Sequence, residues 1–112
     1  MFLRRKRETA PIVQVPILCK FWEDDDVWNG AAVDLPIAVF GDTFEEAQRH
    51  LREGIVCHLQ ALQELHQLAP AIEYLQQRAR DYTVSVEEIP ANKPLLRIDA
   101  TVQNDRVCAA SV

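Results

Sequence analysis

The stretch Asp34-Leu35-Pro36-Ile37-Ala38-Val39-Phe40-Gly41-Asp42-Thr43-Phe44-Glu45-Glu46-Ala47 decides the fold, because it holds the end of one strand, all of another and the start of a helix. Asp-Leu-Pro closes an extended run, since proline cannot donate to a ladder. Ile37 to Phe40 is a short β-branched and aromatic run ended by Gly41-Asp42, which reads as a strand followed by a turn. Thr43-Phe44-Glu45-Glu46 has capping-box spacing: the Thr43 hydroxyl accepts the Glu46 amide while the Glu46 carboxylate reaches back.

Downstream, Phe44, Ala47, Leu51, Ile55, His58 or Leu59, Leu62 and Leu65 recur at helical spacing, which predicts a long helix from Thr43 to about Leu68 with one apolar face for the sheet. Gly54 inside it costs about 1 kcal/mol relative to alanine, so it marks either close packing or a tolerated weakness. Pro70 suits the first turn of a second, shorter helix, and Ile72, Leu75 and Ala79 carry its stripe to about Arg80.

Upstream, Ile12 to Trp22 reads as a strand, with Pro16 expected at its start or on an edge. Glu23-Asp24-Asp25-Asp26 is a polar turn that resists burial, and Val27 to Val33 is a second strand, in which Asn29-Gly30 marks a bulge or a close backbone approach. Such short links favour an antiparallel meander of three strands. Beyond the helices, Tyr82 to Val86 and Leu95 to Val102 read as further strands, separated by Pro90, Asn92 and Pro94. The expectation is an α+β fold: a three-stranded antiparallel meander, a long helix packed on it, a second short helix and one or two further strands.

A chain of 112 residues suits a single domain over 1–112, with a core from about residue 12 to residue 103 and a basic tail over residues 1–10. Its 48% hydrophobic and 26% charged content is that of a folding chain. A net charge of −5 and a pI near 5.1 argue against a protein that coats phosphate backbones and suit a basic protein partner. Arg4-Arg5-Lys6-Arg7 is the exception, read as a solvated tail, with a weak phosphate contact as the other reading. Cys19, Cys57 and Cys108 are odd in number and form no CxxC pair, the pattern of reduced thiols and hence of a cytoplasmic protein. Pro11, Pro16 and Lys20 interrupt the only signal-like start, and no apolar run reaches the ~18 residues of a membrane span.

The chemistry that these residues could support is thin. Asp24, Asp25, Asp26, Asp34 and Asp42 are candidates for a Mg²⁺-dependent nuclease, but the first strand carries no carboxylate, and consecutive aspartates belong to a solvated turn. His50, His58 and His66 are spaced by eight and spiral away from one helix face; Cys57 with His50 gives two zinc ligands and no third. Gly30, Gly41 and Gly54 are too dispersed for a phosphate loop. Trp22 and Trp28 flank the acidic turn, and packing in a core or interface is favoured over base stacking beside so much negative charge. No catalytic residue, cofactor or metal is expected.

The run Ile17-Leu18-Cys19-Lys20-Phe21-Trp22-Glu23-Asp24-Asp25-Asp26-Val27-Trp28, then Asp34-Leu35-Pro36, then Gly41-Asp42-Thr43-Phe44-Glu45-Glu46-Ala47, resembles the HicB-like antitoxin domain family over about residues 12 to 68. The resemblance implies a small sheet with a helix across it and a later strand, a degenerate ribonuclease-H-like or double-stranded-RNA-binding-like arrangement. It implies dimers or larger oligomers, and neutralisation of a small basic RNA-cleaving toxin, HicA, by covering its catalytic surface. The chain departs from the family in carrying Ile37-Ala38 where Gly-Cys usually follows Leu-Pro, and Gln103 to Val112 is too short for the family's C-terminal DNA-binding module. DNA binding is therefore not expected, and Leu95 to Ala100 is read as a returning strand rather than as part of a ribbon-helix-helix.

The expected function is that of a non-catalytic HicB-like interaction protein, with Trp22, Asp24, Asp25, Asp26 and Trp28 as its partner-binding surface. The alternatives are an orphan structural oligomer without a toxin, and the metal-dependent nuclease.

Overall fold

The computed structural model describes residues 12–81, 95–103 and 106–111. The expected strand at Tyr82 to Val86 and the basic tail lie outside them. The elements are β1 (Val13–Asp24), β2 (Val27–Ala32), β3 (Ala38–Gly41), α1 (Phe44–Glu64), α2 (Leu68–Asp81), β4 (Leu95–Gln103) and β5 (Arg106–Ser111). They form an α+β fold with one antiparallel sheet of order β3-β2-β1-β4-β5. The meander is present as expected. β5 was not anticipated.

Alternation along β1 and β4 makes the floor of the core. Val15, Ile17, Cys19 and Phe21 are buried on one face, and Ile98, Ala100 and Val102 join them from β4, with Ile17 opposite Ile98. Ala47, Leu51, Ile55 and Leu59 of α1 close over this floor and are wholly buried. The sheet curls so that α1 touches both outer strands, β3 and β5. Gly30 lies under the Phe21 ring, where a Cβ would sit 2.7 Å from Cε2. The ladder runs through it without a bulge, so Asn29-Gly30 is a close approach.

The helix start follows the capping box with one difference. Thr43 Oγ1 accepts from the Glu46 amide at 3.0 Å, but Glu46 Oε1 accepts from the amide of Asp42, at 2.7 Å, one residue further back than the reciprocal bond requires. Pro36 bends the chain tightly, with the Ile37 amide donating to the Leu35 carbonyl at 2.8 Å, an i to i+2 turn that suits proline's fixed φ.

The expected end of α1 near Leu68 moves to Glu64. The His66 amide donates to Gln63 O and the Gln67 amide to Leu62 O, and His66 takes φ 59°, which is a Schellman termination with histidine where glycine is usual. α2 then begins at Leu68, two residues before Pro70. It packs on the first half of β1, on the side that β2 leaves unpaired: the Gln76 side-chain amide donates to Gln14 O. Pro16 sits in this same stretch, so it occupies a central strand yet interrupts no ladder with β2. Leu68 and Leu75 complete the core.

Candidate interaction surface

The β1–β2 hairpin closes on the pair Asp24 and Val27, leaving Asp25 and Asp26 as its two loop residues. Both have positive φ, 53° and 62°, the backbone of a type I′ turn, whose right-handed twist matches the strands. Glu23 and the three aspartates are all exposed. Among the described residues no ion pair involves Asp24, Asp25 or Asp26. Four carboxylates thus project from one tip.

The pleat places Trp22 and Trp28 on opposite faces. Trp28 is half-buried beneath the start of α1, its ring 5.1 Å from Phe44, which in turn makes an edge-to-face contact with Phe21 at 5.2 Å. Trp22 is half-buried on the face away from α1, with Lys20 Nζ 5.8 Å from its ring centroid. The structure therefore brings Trp22 to the same outer face as the acidic tip, and sets Trp28 among the packing residues of the helix side.

That outer face continues across the meander. Trp22, Asn29 and Phe40 form one cross-strand row, and Lys20, Ala31 and Ala38 form the next. Phe40 is 68% exposed, the most exposed of the large apolar side chains described. Sequence reasoning placed Phe40 in a strand without assigning it to a surface; strict alternation with Val39, which packs on the core, was the available signal. The edge beside it is covered: His50 Nδ1 donates to Phe40 O at 2.7 Å, occupying an outward carbonyl of the edge strand.

Toward the other end of this face, α2 and the sheet border an open, shallow cleft of about 430 Å³ lined by Gln14, Pro16, Gln76, Arg80, Arg97 and Asp99 among others. Arg97 clasps Asp99 with both Nε and Nη2, at 3.0 and 3.1 Å. Arg80 donates to Gln77 at 2.8 Å and is otherwise solvent-facing.

The histidines and thiols do not converge. His50 serves the β3 edge, His66 the end of α1, and Cys57 is exposed beside Val56 and Ala109. Among the described residues no three His, Cys, Asp or Glu side chains gather as a metal site, and no helix is long and apolar enough to cross a membrane. No protein-family model, curated protein or solved structure matches the chain.

Proposed function

We propose that the chain is a non-catalytic interaction protein of the HicB type, acting in the cytoplasm as a homo-oligomer and taking up a small basic RNA-cleaving partner, of the HicA kind, on its acidic hairpin tip. The observation that carries this reading is the tip itself, with Asp24, Asp25 and Asp26 exposed and without ion-pair partners among the described residues. Asn-Gly is the pair that a type I′ turn favours on conformational grounds. Asp-Asp at φ 53° and 62° gives up part of that preference and gains charge. Mutual repulsion among these carboxylates is relieved when a cationic surface docks, which favours fast and selective association with a basic protein.

The test is co-expression of the chain with a basic HicA-type toxin, reading growth and co-purification. The unaltered chain is expected to restore growth and to retain the toxin. Asp24→Lys combined with Asp25→Asn and Asp26→Asn, which keeps residues tolerant of positive φ in the turn, is expected to lose both. Equal retention by that variant, or no retention by the unaltered chain, overturns the proposal.

A further inference from the structure

A lasting complex takes about 800 Å² from each partner, a disc of about 16 Å radius, and the hairpin tip alone is far smaller. A protein that docks on Asp24 to Asp26 therefore also covers one of the two faces that meet there. The helix face adds charge, with Asp42 and Glu45 exposed, but its aromatics Trp28 and Phe44 pack on each other. The outer face adds apolar surface. Alternation puts Asp24 on the same side as Trp22, and Phe40 stands one strand and two residues from Val27, about 5 Å across and about 7 Å along. Its neighbours in the next row are Ala31 and Ala38, so the ring protrudes, and the His50 bond to its carbonyl fixes the strand beneath it.

We propose that Phe40 is the apolar anchor of the docking surface, and that the partner is a basic protein whose face carries an apolar socket rimmed by lysine or arginine. The inference rests on the function proposed above and adds the part of the surface that holds the complex together. The two parts act at different stages. Exposed carboxylates draw a cationic surface in from a distance, while a protruding aromatic, desolvated in a socket, slows its escape. A purely basic face leaves Phe40 against charge and water, and a purely apolar one leaves the aspartates unmatched, so the surface fits a partner that has both. Because the strand under Phe40 is already fixed, little ordering is lost when the ring is seated. Lys20 sets the limit of the footprint: its ammonium lies 5.8 Å from the Trp22 ring centroid and repels a second cation there. The strip from the tip along Asn29 to Phe40 is left for the partner.

The experiment measures binding of the full chain to an immobilised basic HicA-type toxin, with association and dissociation rates read at low and high salt and thermal melts showing that each variant is folded. Phe40→Ala is expected to dissociate about tenfold faster or more, with its association rate and salt dependence unchanged. Phe40→Leu is expected to keep most of the unaltered residence time. The tip variant Asp24→Lys, Asp25→Asn, Asp26→Asn is expected instead to associate about tenfold more slowly or worse, and to lose most of the salt dependence. Glu45→Gln, on the helix face, is expected to leave the dissociation rate as it is. Phe40→Ala dissociating like the unaltered chain, or Glu45→Gln dissociating as fast as Phe40→Ala, overturns the anchor; if the tip variant is still impaired, the acidic-tip reading stands without it. No binding by the unaltered chain, or an unimpaired tip variant, overturns the function proposed above and this inference with it. Sedimentation velocity of the chain alone completes the set: self-association that Phe40→Ala abolishes assigns the face to a second copy and overturns the proposal.

Discussion

Arg78 Nε donates to Asp34 Oδ1 at 3.1 Å across 44 residues of sequence, and this bond fastens α2 to the loop that ends β2. The carboxylate is 10% exposed, so it is largely withdrawn from water and depends on protein donors. Asp34 thus does more than end a strand: it holds the second helix against the meander. A double-mutant cycle of Asp34→Asn and Arg78→Ala, followed by urea denaturation, is expected to show each single change destabilising by about 1 kcal/mol. The coupling energy is expected at about 0.5 kcal/mol or more. Strict additivity would deny the tie.

His66 occupies the left-handed position of the Schellman termination. Glycine adopts that backbone without the Cβ penalty, and His66 is exposed, so no packing is lost on removing its side chain. His66→Gly is expected to stabilise the protein by about 0.5–1 kcal/mol, net of the greater entropy of glycine in the unfolded chain. The check is the thermal midpoint, which should rise by a few degrees.

The same residue explains the main misreading of the sequence. Leu62, Leu65 and Leu68 continue the helical spacing through the break, and no glycine or proline marks it, so periodicity alone runs α1 on to about Leu68. The termination is tertiary in origin: α2 must turn back onto β1. The meander, the capping box and β4 were legible because each has a local cause: alternation, turn residues, or a hydroxyl three residues before a glutamate. β5 was not, because six residues with two small inward side chains, Val107 and Ala109, pair only through the register that β4 offers. At the surface, the acidic tip was readable as a turn, while the sides taken by Trp22 and Trp28 awaited the strand register.

Gly30 and Gly54 should respond differently to the same methyl group. At Gly30 the new Cβ meets two atoms of the buried Phe21 ring, at 2.7 and 2.9 Å, and that ring is held by Phe44 and the core. Gly30→Ala is expected to cost about 2 kcal/mol or more by overpacking. At Gly54 the nearest atom is Ile37 Cγ2 at 3.0 Å, on a half-buried side chain, and alanine recovers about 1 kcal/mol of helix propensity. Gly54→Ala is therefore expected to stay within about 1 kcal/mol of the unaltered protein. Urea midpoints of the two variants compare them directly.

The three thiols divide by burial in the same way. Cys19 lies at the centre of the β1 floor, and burial pushes its thiol up to about 12, whereas Cys57 and Cys108 are exposed. At pH 8 a thiol reagent is expected to label Cys57 and Cys108 in the folded protein, and Cys19 only after denaturant is added. The raised value also makes stability depend on pH. Below about 9, the ordinary thiol value, Cys19 is protonated in both folded and unfolded chains and the burial of the neutral thiol contributes in full. Between about 9 and about 12 the unfolded chain loses the proton while the folded chain keeps it, so unfolding is favoured as pH rises, by up to about 1.4 kcal/mol per pH unit. Cys19→Ala removes that slope, and below about 9, where the slope is absent, it lowers stability through the cavity it leaves. The difference in unfolding free energy between the two proteins is expected to shrink from pH 8 to pH 10.5, and a difference that stays constant would mean that Cys19 is not shielded as its position in the core requires.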